Sequence, residues 1–523
     1  MTYKPFPYLR TYCVLWIFVC VLATACSETQ SPNNEADPKY PEVNDQLSPR
    51  ELVSAYCGAC HLPPDPQNIP KSLWEEKVLP EMAARMGYRM DNYNPFAQYS
   101  MEENVYIRQS GIYPNRPALD SITWQKIHNY IITNAPDSIP TDYKRSDRNS
   151  GLTQFTPRPV IIDQNVPRVT SIVFDEEASQ FVIGSAYGEF SFWSLNGLTK
   201  PFRFNSPGIA YTNRDQTAYL TEIGYMNPSQ IPKGSIHRVR PEARDTLVKD
   251  LHRPVYTEVA DLNKDGIDEL LICEFGHLTG KFSMLSMING KYEKQVLLNV
   301  PGTIKVEVKD MNQDGLKDIL VLASQGNEGL YILYQDSDLT FRSEHVIRLG
   351  SEYGTSWFDL FDFDGDGDQD VVIANGDNAD YTIFLKPYHG VRIFENDGRN
   401  SFEEAWFYPI YGATRVIAED FDLDSDIDLA VMSFFPGDKE LASEGFVFLE
   451  NQNTPSIAFT AYTFPQSVLG RWLIMESGDY DRDGDEDIML GSFQFAPPRS
   501  QPKFENWPTQ PIDGILLENR KID

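Results

Sequence analysis

The chain has 523 residues, of which 41% are apolar, enough to fill two or more hydrophobic cores and too many for a disordered chain. Its 76 Asp and Glu against 45 Lys and Arg leave a formal charge of -31. Such a surface repels phosphate backbones, so nucleic acid is not an expected partner.

Residues 1–25 read as an export signal. Lys4 and Arg10 supply the positive end, and the apolar run from Cys13 to Ala23 is too short to span a bilayer. Ala23, Thr24 and Ala25 ahead of Cys26 resemble the lipobox of bacterial lipoproteins, although Ala23 stands where Leu is usual. The resemblance implies cleavage before Cys26, acylation of that cysteine and attachment to a membrane. Plain secretion, with Cys26 inside the signal, is the alternative. Residues 26–45 are polar and rich in Pro and Asn, and form an expected flexible tether. The expected location is a membrane surface facing the periplasm or the cell exterior. Ser27 and Glu28 do not specify the leaflet.

Residues 46–145 carry the helix signals of a small all-α domain. Ser48, Pro49 and Glu51 form a cap, a first-turn proline and a capping-box acid ahead of LVSAYCGACH. Ser72 and Glu75 predict a second start, with a break or restart at Pro80, and a further helix is predicted over 121–134, stopped by Ala135 and Pro136. The run CGACH places Cys57, Cys60 and His61 in the spacing of covalent haem attachment: two thiols one helical turn apart reach the two vinyl groups, and the adjacent imidazole reaches the iron. A zinc site would need further Cys or His ligands nearby, and the next candidate is His128. A thioredoxin-type pair would want a βαβ setting. Met82, Met86 and Met90 are candidate second axial ligands, Met82 and Met86 sharing one helical face, with His128 as an alternative. All six cysteines can be assigned without a disulfide: Cys13 and Cys20 leave with the signal, Cys26 takes lipid, Cys57 and Cys60 take haem, and Cys273 lies in the apolar run ELLICEF as a small hydrophobe.

The stretches CGACHLPPDP, LWEEKVLPEMAARMG and WQKIHNYIITNAP are similar to the small cytochrome c domain that some bacteria fuse in front of FG-GAP or VCBS repeats. The resemblance covers about 95 residues. It implies one covalent haem c and, from the Met of the LPxM segment, Met82 as the axial ligand opposite His61, with Met86 as second choice.

Farther along, five nine-residue segments repeat an alternation of oxygen-bearing side chains. Their first, third, fifth and ninth positions are Asp261, Asn263, Asp265 and Glu269; Asp310, Asn312, Asp314 and Asp318; Asp362, Asp364, Asp366 and Asp370; Asp420, Asp422, Asp424 and Asp428; and Asp479, Asp481, Asp483 and Asp487. Four have Gly at the sixth position and the fourth has Ser425. Oxygens at alternate positions with a Gly for the sharp turn suit a hard cation, so up to five calcium ions are expected. An EF-hand would need an acid at position twelve, where Ile272, Val321, Ile373, Val431 and Leu490 stand, and each loop runs on into a strand-like segment.

Successive loops start 49, 52, 58 and 59 residues apart, the period of propeller blades. Strands near Asn396, Asn451 and Asn519 end in turn-favouring residues. The repeats resemble FG-GAP and VCBS blades of integrin-like propellers over residues 155–523. Two weaker units, around 168–193 and 210–224, raise the expected number of blades to seven. The predicted fold is therefore multidomain, a small all-α cytochrome c domain followed by an all-β propeller.

The expected function is single-electron transfer outside the cytoplasm, with an acidic surface suited to a basic redox partner. Two alternatives stay open: a haem-linked dehydrogenase whose propeller oxidises a sugar or alcohol, and a surface binding module with a haem sensor. No catalytic residue is assigned, since His237, His252, His277 and His389 read as polar residues of strands or loops. The sequence does not specify an oligomeric state.

Overall fold

The computed structural model describes residues 47–140, 148–163, 166–377, 384–436, 443–452, 454, 456–494 and 512–521. The export signal, Cys26 and the tether lie outside the described residues. The helices and the propeller belong to one unit, Asn44–Asp523.

Helix α1, Pro49–Tyr56, starts where the capping box predicts it, Ser48 and Glu51 each accepting the other's backbone N–H. The second start differs from the expectation. Helix α2, Lys71–Leu73, begins after Pro70 with no side-chain cap, so Ser72 lies inside it. A π turn over Trp74–Val78 then leads into α3, Leu79–Arg85. Pro80 has no N–H to donate, and the wider turn is closed by Leu79 N–H bonding Trp74 O. Helix α4, Met101–Ser110, has a capping box from Ser100 and Glu103 and ends at Gly111, whose φ of +72° suits glycine. Helix α5, Ser121–Asn134, is capped by Asp120, which accepts the N–H groups of Ile122 and Thr123 at 2.8 Å. Leu52, Trp74, Ala83, Trp124, Ile127 and Ile131 form the shared core. Each large side chain there contributes roughly 1.5–3 kcal/mol, and the Trp74 indole N–H is satisfied by Pro66 O at 3.0 Å.

Among the described residues the strands form seven sheets in a seven-bladed β-propeller, six of them built on four consecutive antiparallel strands and the seventh on three consecutive strands with one from earlier in the chain. The two weak sequence units become the first two blades, 169–203 and 208–251, and the five acidic loops each fall in one of the remaining blades. The first strands of neighbouring blades pack against one another around the axis. The second strands, such as Glu269–Glu274 and Asp428–Ser433, are buried along their whole length because blades cover both faces. Cys273 is fully buried there, as its apolar setting predicts. The seventh blade closes the ring with a strand from far earlier in the chain. Phe155–Val160 pairs antiparallel with Gly514–Asn519, so about 360 residues are locked into a loop by one strand ladder. Asn149–Ser150 adds a short parallel strand to the sixth blade.

Antiparallel order fixes what each face of the propeller carries. Links between first and second strands, the acidic loops among them, lie on one face. Links between second and third strands, and between blades, lie on the other, and the helices pack there. Asn68 donates its amide to Glu352 at 2.7 Å, Tyr388 donates to Asn68 O at 2.9 Å, and Gln230 N–H donates to Glu103 at 3.2 Å.

Candidate functional site

Between helices and propeller lies a cavity of about 420 Å³. Cys57, Cys60, His61, Met82 and Met86 line one wall. The chain reaches this geometry because α1 ends at Tyr56, after which Cys57 N–H bonds Val53 O at 2.9 Å and Gly58 N–H bonds Ser54 O at 3.1 Å. Gly58 is required by close approach: a Cβ there would lie 2.1 Å from Ser54 O. The ring nitrogen Nδ1 of His61 is 2.7 Å from Leu62 O. A carbonyl only accepts, so Nδ1 is the donor, and in the neutral ring this leaves on Nε2 the lone pair a metal ligand needs.

Burial, and then the neighbouring Cys60, push the Cys57 thiol up to about 11. The lowered thiol that a dithiol exchange centre needs lies in the opposite direction from this shift on Cys57. Of the candidate second ligands, Met82 and Met86 line the cavity, with Met86 and Met90 also packing against the helical core. His128 packs beside Trp124 and is not among the cavity residues. Next to Met82, the buried carboxylate of Glu81 is held by Arg85 at 2.9 Å, Tyr93 at 2.6 Å and Tyr113 at 2.7 Å. That network fixes the α3 turn that presents Met82.

The opposite wall, invisible to the sequence reading, comes from blade links of the propeller. It includes His277, Gln325, Glu328, Glu352, Asp377 and Lys386. His277, read from sequence as an ordinary loop residue, is thus part of the cavity. The other histidines have structural partners or burial: His237 lies 2.6 Å from Glu222, His252 lies 2.8 Å from Thr279, and His389 is fully buried.

The five acidic loops share one conformation. Position four is left-handed in each, with φ of 61° at Lys264, 59° at Gln313, 75° at Gly365, 58° at Leu423 and 66° at Arg482. Position six is left-handed too, and Ser425, with φ of 76°, adopts the glycine conformation. The position-one carboxylate ties the turn, as when Asp261 accepts the N–H groups of Asp265 and Gly266 at 3.1 and 3.0 Å. Ligand oxygens gather within 4.8 Å in Asp362, Asp364 and Asp370, in Asp420, Asp422 and Asp424, and in Asp479, Asp481 and Asp483.

Position nine has a role the sequence did not reveal. Asp370 accepts Phe363 N–H and Asn396 N–H, both at 2.8 Å, pinning the loop to the end of the third strand. Asp318, Asp428 and Asp487 hold Gln335, Asn451 and Asn519 in the same way. Asn396, Asn451 and Asn519 are therefore clamps: their side-chain amides bond carbonyls of Gln369, Ile427 and Glu486. Burial, opposed by these N–H groups and reinforced by neighbouring carboxylates, pushes Asp370 up to about 6 and Asp428 and Asp487 up to about 8. A cation in the loop would reverse that repulsion.

The FG-GAP-like repeat family matches residues 310–373, from the second acidic loop into the strand after the third. No curated protein matches the chain. Among solved structures, the chain is similar to the Neurospora crassa Pan2 WD40 domain at 13% identity and a TM-score of 0.40, over 62% of this chain and 86% of that one. It is also similar to the N-terminal domain of Nup159 at 10% identity and a TM-score of 0.40, over 66% and 95% of the two chains. The fold defines a seven-bladed β-propeller protein. More particularly, it carries an FG-GAP-like repeat, an architecture that suggests a binding module.

Proposed function

We propose that this chain is an extracytoplasmic c-type haem protein that passes single electrons, held to a membrane by a lipid on Cys26, with a calcium-binding propeller that docks its partner. The observation that carries the reading is the meeting of Cys57, Cys60, His61 and Met82 on one wall of one cavity, with His61 Nε2 left as an acceptor. The donor set fits the group: two thiols for thioether bonds, one imidazole, and one thioether that favours the reduced metal, with Met86 as the alternative. When bound, haem supplies a reversible one-electron couple. The protein's own part is to hold it through Cys57 and Cys60, orient His61 through Leu62 O, and shield it between helices and propeller.

The chemistry of the loops supports up to five calcium ions on the face away from the helices, bound by the position one, three, five and nine residues named above. Such ions would stiffen the blades and leave the cavity to the haem. The residues 46–145 then act as the cytochrome domain and 155–523 as the propeller. A basic partner fits the net charge of -31.

The test is expression in a host that attaches haem c, followed by spectroscopy of the purified chain. The reading expects one reducible haem per chain that survives denaturation, and its loss in the Cys57→Ala, Cys60→Ala double variant. A reduced haem that binds carbon monoxide readily would count against His and Met ligation.

A further inference from the structure

Glu328 and Glu352 stand on the propeller wall of the cavity, opposite Cys57, His61 and Met82. Glu328 is 3% exposed and its Oε2 accepts Thr355 N–H at 2.9 Å. Glu352 is 8% exposed; its Oε1 accepts the Asn68 amide, and its buried Oε2 has no hydrogen-bond partner. A buried carboxylate oxygen left without a donor is costly, and a proton is the smallest ligand that satisfies it.

We propose that Glu328 and Glu352 are the proton-binding site of this electron carrier, taking up one proton from solvent when the haem is reduced and releasing it on oxidation. The proposal rests on the haem reading above. The electron comes from a one-electron donor protein, the proton from water, and the only bond made or broken at the pair is one carboxyl O–H. Reduction removes a positive charge from the cavity, so the negative charge of the pair loses its counter-charge and protonation becomes favourable.

The surroundings leave this pair as the group poised to respond. Burial, opposed by Thr355 and reinforced by Glu352, holds the Glu328 carboxyl well above the usual range, and Lys386 offsets that only in part. On the helical wall, Glu81 and Arg85 are already paired. Tyr353 and Tyr388 face Glu352, and burial raises both phenols, so they stay protonated. Behind the wall, burial lowers His345 to about 4 and lowers His389 well below its ordinary value, so both stay neutral. Asp377 and His277 on the propeller side and Tyr56 on the helical side also line the cavity.

The experiment is the midpoint potential of the full-length haem-loaded protein from pH 5 to 9, measured spectroelectrochemically. The tenfold change in proton activity per pH unit corresponds to a slope of up to 59 mV per unit for a one-electron couple. The wild type is expected to approach that slope over part of the range. Glu328→Gln and Glu352→Gln keep the hydrogen bonds to Thr355 and Asn68, and each should raise the potential at the alkaline end, with the double variant flattening the slope. A slope unchanged in the double variant assigns the proton elsewhere and overturns the proposal. Should that variant not fold, proton uptake by the wild type on reduction in weak buffer decides: uptake near one proton per electron supports the proposal, and none overturns it. A chain without haem would instead defeat the underlying reading.

Discussion

Replacing Asp370 by Ala separates the two roles of the ninth loop position. In the cation-free protein its oxygens hold Phe363 N–H and Asn396 N–H, both at 2.8 Å, and the residue is 1% exposed. Hydrogen bonds to a charged group contribute about 1.5–3 kcal/mol each. Burial and the repulsion that lifts this carboxyl to about 6 offset part of that, leaving an expected loss of about 2–4 kcal/mol at pH 7.5 with EDTA. Calcium at a hundred times its dissociation constant adds about 2.7 kcal/mol to the wild type, and the variant should lose that increment as well. Asp364→Ala is the control. Asp364 is exposed and accepts one N–H, from Asp366 at 3.1 Å, so it should cost little in EDTA while losing the same calcium increment. Urea unfolding followed by tryptophan fluorescence, with EDTA and with calcium, measures both. Equal midpoints for the two variants in EDTA would refute the clamp.

Ser425→Gly should raise stability by about 1 kcal/mol, because Ser425 holds a φ of 76° that costs a side chain strain; a lower urea midpoint would contradict this. On the first strands of their blades, burial pushes Glu258 and Glu476 from 4.5 up to about 7. Their folded forms therefore hold protons that the unfolded chain releases above about 4.5, so the stability they contribute is full at low pH and lost as pH rises through about 7. Glu476→Gln should accordingly be neutral near pH 4.5 and stabilising at pH 8 by thermal unfolding, and the reverse order would contradict the shift. In the haem-loaded protein Met82→Ala should lower the midpoint potential and open the iron to carbon monoxide, whereas Met86→Ala should do neither; the opposite result would make Met86 the ligand.

The elements that the sequence announced are those with a local cause. The Ser48 capping box, the Asp120-capped run of 121–134 and the nine-residue loops all depend on residues within a few positions of one another. Helix α4 had the same capping signal in Ser100 and Glu103, yet its polar sequence buries only Ile107 and hid its periodicity. The start expected at Ser72 lies two residues earlier because Pro70 O accepts the N–H groups of Leu73 and Trp74, while Lys71 N–H is taken by the distant Pro136 O. Long-range features were not legible. The pairing of Phe155–Val160 with Gly514–Asn519 has no local signature, and the cavity wall is assembled from separate blade links that contribute one to five residues each. For the same reason position nine read as a plain ligand: its partner in the third strand lies 17 to 32 residues away.

The central claim is covalent haem at Cys57 and Cys60, and the intact mass of the mature chain under denaturing conditions tests it most directly. The account predicts a mass increase of one haem, accompanied by haem absorbance, in the wild type and none in the Cys57→Ala, Cys60→Ala variant. A colourless wild-type chain from a haem-attaching host, with both thiols open to alkylation, would contradict it.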